Sequence, residues 1–429
     1  MLARLQGVRV TEFYLGLPFR YNLHRKSKRF GTDFGVTPIL LGGYNRICGM
    51  EGEVDELLPS ALAAVQRKGR ITGAELAEEL SIDESRAYAL LAYLTDMASI
   101  RPYYNPSLGE VPWQNDWPEA FETLERDAKM LTEYDSDHDF SEAGTTAAGA
   151  ARPVEDAQGF FNAENARTYR GKGLLGRLAI LVAGPLVNIA LAFFLVVGSL
   201  MIAGVEVYPN SNELGGVVEG SLAEAAGLRE GDVILQLGGT SVSSWDDLCD
   251  AIDKSLERGG DIQVAYERNG ETFETTIVVP EGQKVELIGV NALVETYHPS
   301  LGEATGVALN YMKMVGSTVV RIIMPQHTME VVSQSSSIVG ISTMAADAAK
   351  SGPNDLVLLI AAVSISLGFM NLLPIPPLDG GKILIEFVQA ALRRPISAKT
   401  QAAISYVGLA FFLFIFCFAL RNDIVSILG

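Results

Sequence analysis

The chain has 429 residues, with 33 basic and 51 acidic side chains and a net charge of −18. That balance argues against nucleic acid as a partner, while 48% hydrophobic residues and a positive mean hydropathy point to membrane segments. Three cysteines (Cys48, Cys249 and Cys417) are far apart and odd in number, which suggests neither a disulfide framework nor a thiolate metal site.

The start, "MLARLQGVRVTEF", has no apolar stretch of signal-peptide length. Residues 1–52 are dense in glycine, and "GTDFGVTPILLGGYNRICG" has an extended, hairpin-like character. They read as a β-rich, membrane-associated cytoplasmic segment. Residues 53–105 have the rhythm of a winged helix: a helix, a turn at Gly69, then helices over Ala74–Leu80 and Glu84–Met97. Ten acidic and five basic side chains over residues 51–105, with Arg86 the sole base on the last helix, favour protein contact or spacing over DNA binding. Residues 106–165 read as an acidic, partly disordered linker, because acids outnumber bases twelve to three from Asp116 to Asp156.

Three later segments are long enough to span a bilayer. They are 178–205 ("LAILVAGPLVNIALAFFLVVGSLMIAGV"), 356–381 (opening "LVLLIAAVSISLGFMNLL") and 402–420 ("AAISYVGLAFFLFIFCFAL"). A fourth stretch, Val307–Met324, carries Lys313 and Arg321. Basic residues decide its place: Arg167, Arg170, Lys172 and Arg177 precede the first span, and Arg393, Arg394 and Lys399 lie between the last two. Three crossings put both clusters in the cytoplasm, whereas four would turn the second outward. Residues 300–350 are therefore expected to be an external amphipathic segment. The fold class is a polytopic α-helical membrane protein of the cell membrane, lying in the lipid bilayer with several passes.

Residues 208–281, between the first two spans, alternate β-rich runs with a helix, and Asn269-Gly270 signals a tight hairpin turn. With "AAGLREGDVI" this pattern resembles a PDZ domain, which implies an α+β module outside the cytoplasm that binds peptide termini by strand addition. Its expected binding loop is Leu214-Gly215-Gly216-Val217. The alternative is a β-domain that serves only as a spacer.

The second span runs into "NLLPIPPLDGGK", which leaves a carboxylate, Asp379, between prolines and glycines at a membrane edge. A carboxylate is expensive there and is a functional candidate by default. The plainer reading is a helix-ending turn at the interface.

Several of these features, in this order, resemble the site-2 protease family of intramembrane zinc metalloproteases. They are "RLQGVRVTEFYLG", "LLGGYNRI", Ala183-Gly184-Pro185 with Asn188, the PDZ-like segment, "SSSIVGI" and "NLLPIPPLDGG". The resemblance covers most of the chain apart from the insertion at about 53–155. It implies proteolysis of membrane-spanning protein substrates, such as anti-sigma factors, with zinc as cofactor. Asp379 matches the aspartate that binds zinc in the family. Asn371 and the strand Gly42-Gly43-Tyr44 match positions that hold the unwound substrate. Pro374, Pro376 and Pro377 would stop the helix and expose backbone able to pair with it.

The family's other zinc ligands are the two histidines of HExxH, whose glutamate is the general base. This chain has no HExxH; its four histidines are His24, His138, His298 and His327. In the family the motif is followed closely by a small-residue run ending in arginine and then "GVRV", and "MLARLQGVRV" starts inside that run. The resemblance therefore places the missing helix just upstream of Met1, if the start codon is set too far downstream. The other readings are a non-catalytic receptor or scaffold without those ligands, and a signalling adaptor that docks a cytoplasmic protein on its insertion.

Overall fold

The computed structural model describes residues 2–39, 43–50, 52, 54–114, 116–280, 287–324, 326–333, 337–394 and 396–428. They form two compact units: Met1–Ala190 with Gly316–Ser342 and Ser364–Gly429, and Leu191–Val315 with Thr343–Val363.

The first unit opens with a short helix, α1 (Leu2–Leu5), and strands β1 (Val10–Leu15), β2 (Leu23–Lys26), β3 (Asp33–Val36) and β4 (Gly43–Ile47). The strands form one sheet in the order β2-β3-β1-β4. β4 is an edge strand, antiparallel to β1, with Tyr14 opposite Tyr44 and Leu15 opposite Gly43. Tyr14 and Tyr44 stack at 5.2 Å.

Next come α2 (Leu58–Lys68), β5 (Arg70–Thr72), α3 (Gly73–Leu80), α4 (Glu84–Asp96), β6 (Ile100–Tyr103), β7 (Ala120–Thr123) and α5 (Ala157–Asn165). Local chemistry sets the helix starts: Thr72 and Glu75 form a reciprocal capping box on α3, and Asp83 caps α4. The strands pair in the order β5-β7-β6. Phe121 of β7 and Phe161 of α5 enter one apolar core with Leu58, Leu62, Leu76 and Leu94.

That core corrects two expectations: this module does not end at 105, and residues 106–165 are not a loose linker. Two of their carboxylates, Asp135 and Glu164, hold buried arginines. Arg9 donates to Asp135 through Nε and Nη2 at 2.9 and 2.6 Å, and to Glu164 through Nη1 at 2.8 Å. Arg126 Nη2 and Ser99 Oγ also donate to Glu164, at 3.1 and 2.7 Å. Arg9, Arg126 and Glu164 are at most 1% exposed.

Helix α6 (Leu174–Ala203) follows, carrying Pro185 inside it. Pro185 removes one hydrogen bond, a loss tolerated in membrane helices. Ile180 and Leu181 at its start pack with Val8, Val10 and Tyr169.

The second unit holds a β-domain. Its elements are β8 (Val205–Val207), β9 (Leu214–Val217), α7 (Leu222–Ala225), β10 (Val233–Leu237), β11 (Thr240–Ser241), α8 (Trp245–Arg258), β12 (Ile262–Arg268), β13 (Glu271–Ile277), β14 (Val290–Ala292) and β15 (Glu295–Tyr297). The main sheet is β11-β10-β12-β13, and β9 pairs with β14. Asn269 (φ 55°) and Gly270 (φ 83°) make the β12–β13 turn that their sequence predicts. Ile288 joins the core, so the domain runs past the expected limit at Glu281, a residue outside the described set.

The remaining helices are α9 (Leu301–Ile322), α10 (Thr328–Ser333), α11 (Ile338–Ser351), α12 (Pro353–Asn371), α13 (Asp379–Leu392) and α14 (Ala398–Leu428). Among the described residues three helices are long and apolar enough to cross a membrane: Leu174–Ala203, Pro353–Asn371 and Lys399–Val425. Helix α9 is not one of them. The second span stops at Asn371 instead of running to 381.

Candidate active site

Helix α12 ends at Asn371, and Pro374, Pro376 and Pro377 keep residues 372–378 from continuing it. The chain turns, and Asp379 opens α13, preceded by Leu378 in an extended conformation with no side-chain cap. A carboxylate in the first turn is favoured by the helix dipole. The turn folds tightly against the new helix, which is why glycines follow. A Cβ on Gly380 would lie 2.3 Å from the Leu372 carbonyl oxygen, and one on Gly381 would lie 2.2 Å from the Pro376 nitrogen.

Other small residues bring the neighbouring helices in. A Cβ on Gly184 of α6 would stand 3.8 Å from Asp379 Oδ2, and one on Gly408 of α14 would lie 1.5 Å from the Pro376 carbonyl oxygen. Between α6 and α12, Ser364 Oγ donates to the Asn188 carbonyl at 3.0 Å. Gly368 leaves no room for a Cβ beside Ile189. This is close packing through small residues, as expected of helices in lipid. Lys382 Nζ lies 3.8 Å from Asp379 Oδ1.

A cavity of about 540 Å³ joins this turn to the edge strand of the N-terminal sheet. Asn45, Arg46 and Ile47 of β4 line it together with Pro376, Pro377 and Lys382. Asp379 is not on its wall; Lys382, one turn on, is. Deeper in the wall, buried Glu386 accepts from Tyr169 Oη at 3.0 Å and pairs with Arg177 Nη1 at 3.2 Å. Burial first, and then the Glu386 carboxylate, push the Tyr169 phenol up.

The cavity is lined by Asn45–Ile47 of β4 and by the turn beside Asp379, while Gly43, Tyr44 and Asp379 themselves are not on its wall. Asn371 is half-buried at the end of α12, and Pro374 is exposed. Gly42 lies outside the described residues. Leu214, Gly215, Gly216 and Val217 belong to the other unit, where they form strand β9 rather than an open loop. One edge of β9 is taken by β14, and the Leu214 backbone already bonds to Asp232 and Gly231. Sequence reading gave no site role to Arg46, Tyr169, Arg177, Glu386 or Gly408, although Arg46 lies within "LLGGYNRI"; only the fold gathers them.

A family model described as "Peptidase family M50" matches residues 1–415. The chain belongs to peptidase family M50. This M50 chain is similar along its length to the probable protease eep of Enterococcus faecalis, at 25% identity over 435 residues, covering 98% of the chain and 93% of that protein. It is 26% identical over 432 residues to the "Regulator of sigma-W protease RasP" of Bacillus subtilis, covering 99% and 93%. A "Zinc metalloprotease RasP" of Shouchella clausii is 26% identical over 430 residues, covering 98% and 93%.

The described residues of the M50 chain do not by themselves fit a zinc ion. Among them no group of three His, Cys, Asp or Glu side chains could hold a metal. His24 bonds Asn22, His138 bonds the Asp135 carbonyl, and His327 sits with Glu330. Zinc needs at least three protein ligands; Asp96 and Glu386 line the cavity and Asp379 lies beside it, and among the described residues these form no such group.

Proposed function

We propose that the chain is an intramembrane zinc metalloprotease that cleaves membrane-spanning proteins, anti-sigma-factor-like substrates among them. The observation that carries this reading is the cavity shared by the β4 edge and the Pro376–Lys382 turn. A substrate helix must unwind before its peptide bonds are accessible, and an open strand edge pairs with extended backbone. Asn371 and Pro374 extend that cradle, and Asp379 is a zinc ligand.

On this reading the β-domain of residues 208–292 is PDZ-like, lies outside the cytoplasm, and takes peptide termini at the remaining free backbone of β9. The insertion is winged-helix-like and faces the cytoplasm. A second reading, a non-catalytic receptor or scaffold, draws support from the missing metal-ligand cluster among the described residues.

Photo-crosslinking separates the two. A photoreactive residue at Asn45 should capture a membrane-spanning substrate, and one at Glu271 in the β12–β13 hairpin should not. Capture at Glu271 alone, with no cleavage, would favour the receptor.

A further inference from the structure

The segment from Phe19 to Phe30, "FRYNLHRKSKRF", carries Arg20, Arg25, Lys26, Lys28 and Arg29 and no acid, in a chain of net charge −18. Lys26 pairs with Glu133 at 2.8 Å, while Arg20, Arg25 and Lys28 are exposed. Arg20 reaches across to the insertion. Its guanidinium lies over the ring of Trp113, in the β6–β7 loop, at 5.2 Å, and over Tyr21 at 5.6 Å. The Phe19 and Tyr21 rings are 6.2 Å apart.

These rings are not packed away: Trp113 is 61% exposed and Tyr21 67%. The apolar patch continues from them through Leu23, which is 83% exposed and opposite Val36. Val36 in turn pairs with Leu15, and both are exposed. Two loops distant in sequence thus present one surface of aromatic and aliphatic side chains studded with cations.

We propose that the β1–β2 loop and the β6–β7 loop form a single anchor that seats on an anionic lipid surface. Trp113, Phe19 and Tyr21 lie at headgroup level, and Arg20, Arg25 and Lys28 meet lipid phosphates. Aromatic rings with a polar edge concentrate at membrane interfaces, and basic clusters beside a membrane are drawn to anionic headgroups. Continuity with the membrane selects a bilayer over a soluble acidic partner. Val10 at the start of β1, and Val8 just before it, cluster with Ile180 and Leu181 at the start of the first span, which ties this sheet to a membrane helix. The insertion thereby becomes a second foothold that fixes the height of the sheet bearing β4.

The test uses the full chain reconstituted in vesicles. Trp117→Phe with Trp245→Phe leaves Trp113 as the single tryptophan. In vesicles rich in phosphatidylglycerol, its emission should be quenched by lipids brominated near the headgroup. It should also be several-fold less accessible to acrylamide than in detergent. The triple variant Arg20→Glu, Arg25→Glu, Lys28→Glu should lose both effects, as should vesicles of phosphatidylcholine alone. High salt should weaken them in the unmodified loop, a control that does not depend on the variant's folding. The proposal is overturned if Trp113 stays open to acrylamide and blind to brominated lipid, or responds equally in both vesicle types at all salt concentrations. Shielding that appears only when cytosolic protein is added would assign the surface to a protein partner instead.

Discussion

Gly381→Ala adds one methyl group where the turn packs closely against the start of α13. Its Cβ would sit 2.2 Å from the Pro376 nitrogen and 2.5 Å from the Ile375 carbonyl carbon, where ordinary contact starts near 3.4 Å. Neither neighbour is a flexible side-chain tip, so the turn and the start of α13 must separate by about 1.2 Å. Overpacking of this kind costs roughly 1–3 kcal/mol of stability. The larger effect is positional, because Asp379 lies two residues away on the displaced helix start. A misplacement of about 1 Å lowers a catalysed rate by roughly a hundredfold. The assay is cleavage of a model membrane-spanning substrate by the gene product, including any residues encoded before Met1. Monodispersity in detergent is checked in parallel. Gly306→Ala is the matched control, since its added Cβ meets nothing within 4 Å. Cleavage by folded Gly381→Ala at the parent rate would refute the idea that this turn fixes Asp379.

The buried ion network makes a second prediction: Glu164→Gln should destabilise the chain by about 3–5 kcal/mol, because two buried guanidiniums lose their shared carboxylate. Lys26→Ala, at a half-exposed pair, should cost about 1 kcal/mol or less; thermal melts followed by tryptophan fluorescence compare the two. Burial alone would raise the Glu164 carboxyl, but Arg126 and Arg9 outweigh it and hold it well below its usual range. A depressed folded value gives stability that is complete above the unfolded pKa of about 4.3 and lost as pH falls through the folded value. The parent should therefore lose stability in acid below about pH 4, and Glu164→Gln should lose less. For topology, with Cys249 and Cys417 replaced, Glu271→Cys should react with an impermeant thiol reagent on intact cells and Ser397→Cys should not; reversed labelling would put the β-domain inside.

The spans were legible because length and apolar composition suffice to mark them, and "NLLPIPPLDGG" was legible because its prolines and glycines each have a local steric consequence. Where α12 stops and α13 begins was less so: Asp379 sits at the end of an apolar run in sequence but at the start of a helix in space. The acidic stretch misled for a different reason. Asp135 and Glu164 look like solvated linker charges until Arg9, more than a hundred residues earlier, is seen to bind both. Likewise Leu214–Val217 has the glycines of a loop, and only its pairing with β14, some seventy residues later, makes it a strand. Long-range partners of this kind leave no local pattern.

The central claim, that Asp379 is a zinc ligand of a membrane protease, is tested most directly by Asp379→Asn in the gene product that includes any residues encoded before Met1. The amide keeps the shape and removes the charge from a site with no spare ligand. Zinc content by atomic absorption and cleavage of a membrane-spanning substrate are read on the same preparation. The account predicts a fall in bound zinc and loss of cleavage, with membrane insertion unchanged. A variant that binds zinc and cuts as well as its parent would contradict it.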